Sequence, residues 1–200
     1  MVEKTLKEIK KYAEVNKVPI MQDDGIKFLT NFIKENNIKK VLEVGTAIGY
    51  SAIKMALVDE KVKVTTIERD EIRYLEALKN IKQLNLENRI TLIFNDASNV
   101  KLEETYDLIF IDAAKAQNTN FFLKFSKNLK KSGYIITDNL NFHGLVKKEL
   151  EEIESKNLRA LVRKIKDYIT FLQENEEYKT TFYEIGDGIS VSQRKEWNNE

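Results

Sequence analysis

Two aspartates and an asparagine, Asp112, Asp138 and Asn139, stand at the ends of two apolar runs, Tyr106 to Ile111 and Tyr134 to Thr137. If those runs are adjacent parallel strands, the three side chains meet as a hard oxygen site suited to Mg²⁺. Such an ion keeps waters or substrate oxygens in its remaining positions. The bland alternative is that each aspartate caps the helix after its strand. Lys115, in Asp112-Ala113-Ala114-Lys115, is either a proton acceptor beside that site or a solvated lysine following a strand.

A second group of residues suggests a different ligand. Glu43-Val44-Gly45-Thr46-Ala47-Ile48-Gly49-Tyr50-Ser51 puts a glycine at a strand end, where the backbone can turn tightly and approach a bound molecule. Ala47 stands where a dinucleotide fingerprint has its middle glycine, so that fingerprint is not met. Glu68 follows the glycine turn by roughly 20 positions, the spacing at which an acid accepts ribose hydroxyls. Asp96, in Asn95-Asp96-Ala97, could meet an adenine amino group. Singly these are a turn, a surface acid and a cap. At three successive strand ends they favour an adenosine-containing ligand.

The elements that must position these groups can be read from periodicity. Strands are expected at 41–44, 62–67, 90–94, 106–111 and 134–137, with helices at about 49–58, 70–84 and 119–129 between them. This alternation predicts a doubly wound α/β domain with a mostly parallel sheet. Leu6, Ile9 and Ala13 suggest one earlier helix, and Ile26, Leu29, Phe32 and Ile33 a second that Asp23 or Asp24 would cap. A longer helix carries Ile153, Leu158, Leu161, Val162, Ile165, Ile169 and Leu172. Two last strands, 180–185 and 189–192, are joined at Gly186-Asp187-Gly188. One domain is expected over 1–200, with N-terminal helices in 1–40 and a core in 41–194.

Composition narrows the possibilities. The chain has 200 residues, 42% hydrophobic and 32% charged, as in an ordinary globular domain. A net charge of +1 argues against non-specific polyanion binding by the whole molecule. No apolar run approaches the roughly 18 residues of a membrane span, so no membrane partner is expected. The absence of cysteine excludes thiolate chemistry and fits a cytoplasmic location.

The combination of Glu43 to Ser51, Ile67-Glu68-Arg69-Asp70, Phe110-Ile111-Asp112-Ala113-Ala114-Lys115 and Thr137-Asp138-Asn139 resembles the metal-dependent O-methyltransferases related to catechol and caffeoyl-CoA O-methyltransferases. The resemblance runs from Val18 to Arg194 and implies a Rossmann-like class I methyltransferase fold. Such a fold is a seven-stranded, mostly parallel sheet with a C-terminal antiparallel hairpin. By this resemblance Glu43, Gly45, Glu68, Asp96, Ala97 and Asp112 would line an S-adenosylmethionine site, with Met21 and Ser51 nearby. Asp112, Asp138 and Asn139 would hold Mg²⁺ or Mn²⁺, and Lys115 would take the catalytic-lysine position beside Asp112.

Within that family the chain is most similar to the bacterial tRNA 5-hydroxyuridine methyltransferases, which make 5-methoxyuridine at the wobble position. Val18-Pro19-Ile20-Met21, Phe142-His143-Gly144-Leu145-Val146, Asn157-Leu158-Arg159 and Ile185-Gly186-Asp187-Gly188-Ile189 carry this similarity. It implies the tRNA anticodon region as substrate and a homodimer as the assembly. Lys156, Arg159, Arg163 and Lys166 share one helix face and could grip phosphates, although a charged face is more often only solvated. Tyr50 and Phe142 could stack on a base or simply pack. His143, the lone histidine, could pack, bond backbone or touch a base. The competing readings are a catechol-like small-molecule O-methyltransferase, a non-catalytic RNA-binding module and, third, a dehydrogenase.

Overall fold

A computed structural model describes residues 2–195; Met1 and residues 196–200 of the expected domain lie outside the described residues. Two helices, α1 (Val2–Val15) and α2 (Asp23–Glu35), precede the alternating core. The core then runs β1 (Lys40–Val44), α3 (Tyr50–Ala56), β2 (Lys63–Glu68), α4 (Glu71–Gln83), β3 (Ile90–Phe94), β4 (Tyr106–Ile111), α5 (Asn118–Phe125) and β5 (Leu129–Thr137). Helix α6 (Lys156–Gln173) leads to β6 (Tyr178–Tyr183) and β7 (Ile189–Arg194).

The seven strands form one sheet in the order β3-β2-β1-β4-β5-β7-β6. Strands β1 to β5 are parallel, and β7 joins β5 and β6 antiparallel. The expected architecture is therefore the observed one. Val41, Leu42 and Val44 of β1 are fully buried, because the central strands are covered on both faces. On one face Val41, Val64 and Phe110 pack with residues of α1, α2 and α3. On the other, Leu42, Ile109 and Ile135 pack with α5 and α6. Tyr168 of α6 is fully buried, and its hydroxyl pairs with Thr137 Oγ1 at 2.8 Å, one residue before Asp138.

The chain winds outward from β1 to β3 and then returns to lay β4 beside β1. Between the C-terminal ends of β1 and β4 lies the switch point at which open α/β sheets bind ligands. Among the described residues no helix is long and apolar enough to cross a membrane.

Several boundaries differ from expectation. Strand β5 begins at Leu129, five residues early, so the helix expected to reach 129 ends at Phe125 and a 3-10 turn over Ser126–Asn128 intervenes. Neither Asp23 nor Asp24 caps α2. Gln22 holds the cap position without a side-chain bond, and both aspartates fall in the first turn, where they face the helix's positive end. Asp23 also accepts from Lys10 Nζ at 2.5 Å, which ties α1 to α2. Strands β6 and β7 are joined by the five-residue loop 184–188, longer than a glycine-only turn.

Candidate active site

Gly45 leaves β1 at φ +103°, and an added Cβ would lie 2.2 Å from the carbonyl oxygen of Asp112. Only glycine lets the ends of β1 and β4 come this close. Ala47 follows with φ +46°, and its N–H donates to Glu68 Oε2 at 2.7 Å. Glu68 Oε1 accepts from the N–H groups of Arg69 and Asp70, each at 2.9 Å. The acid at the end of β2 thus organises its own loop and the glycine turn; Oε1 already accepts twice, and Oε2 keeps a lone pair for a ligand hydroxyl.

Glu43, expected to line the cofactor site, lies beneath it. It is fully buried, accepting from Ser51 Oγ on Oε1 and from Thr66 Oγ1 at 2.5 Å on Oε2. Burial pushes its carboxyl up to about 8, against those two hydroxyl bonds and with help from the nearby Asp112 and Glu68 charges. A raised acid means that the folded protein holds its proton over a pH range in which the unfolded chain does not, so stability falls with rising pH there. Glu43→Gln, a permanently neutral near-isostere, is therefore expected to gain on wild type as pH rises from about 5 to about 8. Thermal unfolding across that range checks this; a constant difference between the two proteins would contradict it.

At the end of β3, Asp96 accepts from Ser98 N at 2.8 Å and from Arg69 Nη1 at 3.3 Å. The backbone bond from Ser98, with Arg69 assisting, holds its carboxyl below the usual range. Lys124 of α5 donates to the carbonyls of Ala97 and Ser98 at 2.9 and 2.5 Å, which fixes this loop from the other side.

Beyond β4 and β5 the second group assembles. Lys115 Nζ donates to Asp112 Oδ1 at 2.8 Å and to the Asp138 carbonyl at 3.3 Å. Asn139, at φ +67°, donates Nδ2 to Asp138 Oδ2 at 3.1 Å and to Asp112 Oδ1 at 3.4 Å. Asp138 is only 3% exposed. Burial first, and then the Asp112 charge, push its carboxyl up to about 7, with Lys115 opposing. Among the described residues no three His, Cys, Asp or Glu side chains form a metal-holding group. A metal here would need the two carboxylates plus the amide of Asn139. The donor set fits that demand, because turning the Asn139 amide about its last bond exchanges Nδ2 for an oxygen. Buried Asp138 and half-buried Asp112, which repel one another, would then gain a cation.

One cavity of about 560 Å³ joins both groups. Gly45, Ala47, Ser51, Glu68, Arg69, Asp96 and Ala97 line one part; Asp112, Lys115, Asp138 and Asn139 line another. Met21 and Gln22, from the connection between α1 and α2, and Phe142, His143 and Asp187 complete the wall. Of the expected residues only Glu43 and the α6 cations stay outside it. Lys156 and Arg163 are exposed on α6, whereas Arg159 and Lys166 border the buried stripe beside Val162 and are partly buried. Lys166 donates to the Lys148 carbonyl at 2.7 Å and Arg159 to that of Glu154 at 3.5 Å, so half of the expected stripe braces the preceding loop. Two groups were not foreseen as site residues in the sequence: the Arg69–Asp96 pair, and Asp187, read there as part of a turn and of a motif carrying the family resemblance.

A doubly wound sheet with a carboxylate-rich switch-point cavity is shared by many transferases, and here the kind is specific: the chain belongs to the O-methyltransferase family, whose model matches residues 1–195. It is 30% identical over 193 residues to a caffeoyl-CoA O-methyltransferase of Populus kitakamiensis, covering 92% of this chain and 82% of the relative. A Staphylococcus aureus protein provisionally named a caffeoyl-CoA O-methyltransferase superposes with a TM-score of 0.90 at 38% identity, covering 95% of this chain and 92% of that one. An O-methyltransferase from Bacillus cereus, solved in complex with SAH, gives a TM-score of 0.81 at 25% identity, with 96% and 91% covered.

Proposed function

We propose that the protein transfers a methyl group from S-adenosylmethionine to one of two adjacent oxygens on a planar ring, with a divalent metal, Mg²⁺ or Mn²⁺, as cofactor. The observation that carries this reading is the single cavity in which the Gly45–Glu68–Asp96 cradle faces the Asp112–Asp138–Asn139 oxygen group. The Bacillus cereus relative crystallised with SAH, the demethylated form of the same donor, which supports the choice of methyl donor.

In this reading Glu68 holds the ribose hydroxyls and Asp96 the adenine amino group, while Gly45 allows the close approach of the donor. Asp112, Asp138 and Asn139 would hold the metal. Bound there, a divalent cation would supply Lewis-acid chemistry that favours ionisation of the acceptor hydroxyl. Lys115 Nζ, within reach of both aspartate loops, takes the hydroxyl proton when it enters the reaction as the free amine, becoming the ammonium that pairs with Asp112.

The finer proposal is 5-hydroxyuridine at the tRNA wobble position, whose 5-hydroxyl lies beside the 4-carbonyl. It rests on the local resemblance around Phe142-His143-Gly144 and Gly186-Asp187-Gly188. Exposed Lys156 and Arg163 remain candidates for phosphate contact, with Arg159 and Lys166 behind them. By family resemblance alone, the reading extends to a homodimer working in the cytoplasm. A catechol-like phenol is the second reading, favoured by relatives such as the flavonoid 3',5'-methyltransferase of Vitis vinifera, 29% identical.

The test is methyl incorporation from labelled S-adenosylmethionine into tRNA carrying 5-hydroxyuridine and into catechol, with and without EDTA. Metal-dependent labelling of the tRNA is the expected result. Labelling of catechol alone would keep the chemistry and replace the substrate; labelling of neither would sink the proposal.

A further inference from the structure

The segment after β5 is held in a conformation that its residues do not favour. Phe142 and His143 have φ of +43° and +55°, and Asn139 and Gly144 are also left-handed. For Phe142 and His143 each such angle costs about 1–2 kcal/mol, and strain of this kind persists only where surrounding contacts enforce it.

Those contacts come from the loop between β6 and β7. Leu140 N donates to the Gly188 carbonyl at 3.0 Å and Asn141 N to the Asp187 carbonyl at 2.7 Å. His143 N donates to Asp187 Oδ1 at 2.7 Å. A Cβ on Gly188 would stand 2.9 Å from Asn141 N, so the two segments are in close contact. The Asp187 side chain is 8% exposed, and its second oxygen is buried without a hydrogen-bond partner, 3.5 Å from His143 Nδ1. A carboxylate buried with an unused oxygen is costly unless it does something for the fold or the site. Here it meets the strained residues that bear two neighbouring rings, 5.7 Å apart, on the wall of the cavity beside Asn139.

We propose that Asp187 is a positioning residue that fixes Phe142 and His143 as an aromatic shelf on which the planar ring of the methyl acceptor rests. This rests on the O-methyl-transfer reading above and adds a specificity element to it. Asp187 lines the cavity edge but acts through His143 and not by contact with the reacting atoms. Its carboxylate secures the backbone of His143, and the two rings, inclined by 36°, offer a flat acceptor one stacking face and one flanking ring beside Asn139. Both acceptor classes considered above present such a ring, so the shelf serves either.

The test compares wild type with Asp187→Ala, Asp187→Asn and Phe142→Ala. The measurements are acceptor KM and kcat, the affinity for SAH, and amide hydrogen exchange at His143. Asp187→Ala is expected to raise the acceptor KM by about ten- to a hundredfold, the size of one lost ring stack. Its kcat should change far less, its SAH affinity should hold, and the His143 amide should exchange faster. Asp187→Asn keeps an oxygen for His143 N–H and should restore most of the KM and the protection. Phe142→Ala should raise KM while leaving that amide protected. Unchanged KM in Asp187→Ala, or a parallel fall in kcat and SAH affinity, would overturn the shelf. Unchanged exchange at His143 would overturn the anchor. Wild-type protein that methylates neither acceptor would count against the transfer reading and the shelf with it, while exchange in Asp187→Ala still decides the anchor.

Discussion

Asp112→Ala is expected to lower methyl transfer by about a thousandfold, roughly 4 kcal/mol of lost transition-state stabilisation. In the same variant, metal-free protein should unfold at a higher temperature at pH 8. The two effects share one cause. Asp138 is buried, and the Asp112 charge raises its carboxyl further, to about 7. Because that value lies above the ordinary one, ionising Asp138 opposes folding, and the penalty is fully present once pH exceeds about 7. Removing the neighbouring charge relieves part of it; about 1 kcal/mol would raise Tm by roughly 2–4 °C in a chain of this size. Labelled-methyl incorporation and melting in EDTA measure the two halves. Full activity in Asp112→Ala would remove the residue from the chemistry, and a lower Tm would show that the Lys115 partnership outweighs the repulsion.

Gly45→Ala should be the most damaging single methyl group in the chain. Its Cβ would meet Asp112 backbone atoms at 2.2 and 2.8 Å, and backbone cannot rotate aside as a side chain can. Neither strand is free to retreat, since Val44 pairs with Ile111 and Asp112 N donates to the Val44 carbonyl at 3.0 Å. A loss of at least about 3 kcal/mol is expected, a fall in Tm of roughly 6–12 °C, together with loss of SAH binding. Gly144→Ala is the control. It has φ +78° but nothing within 4 Å of the added carbon, so it should cost only the about 1–2 kcal/mol of the left-handed angle. Equal losses in the two variants would assign the effect at Gly45 to its angle and not to the close approach of the strands.

The central sheet was legible because β1 and β4 are covered on both faces and so read as nearly continuous apolar runs. The early part of β5 was not. Lys130, Lys131 and Ser132 are exposed there, and the register with β4 shifts between Tyr106 and Leu108, so no period-two signal survives. Asp107, a polar residue inside β4, is explained only by tertiary partners: it accepts from Lys39 N, Lys40 N and Lys130 Nζ. The site residues were legible in proportion to how far their place follows from strand ends alone. Asp112, Asp138, Glu68 and Asp96 follow from that rule; Glu43 precedes its strand end by one residue, and the alternation of side chains turns it down into the core. Asp187 could not be found this way. Its partner is the amide of His143, 44 positions away, and the only local sign was a carboxylate between two glycines. Arg159 and Lys166 were read as free cations because a helical wheel shows sides but not the loop lying along their edge.

The cavity draws its walls from two kinds of chain segment. Gly45, Glu68, Asp96 and Asp112 come from turns that close parallel crossovers, where a change of length would disturb strand pairing on both sides. Met21, Gln22, Phe142, His143 and Asp187 come from the link between α1 and α2, the stretch before α6 and the terminal hairpin, which lie outside those crossovers. In evolutionary terms the barrel of the tool and its bit can be exchanged separately. A lineage can lengthen or reshape the outer segments to admit a new acceptor while inheriting the methyl-donor cradle intact, and one scaffold can diversify in what it modifies without relearning how.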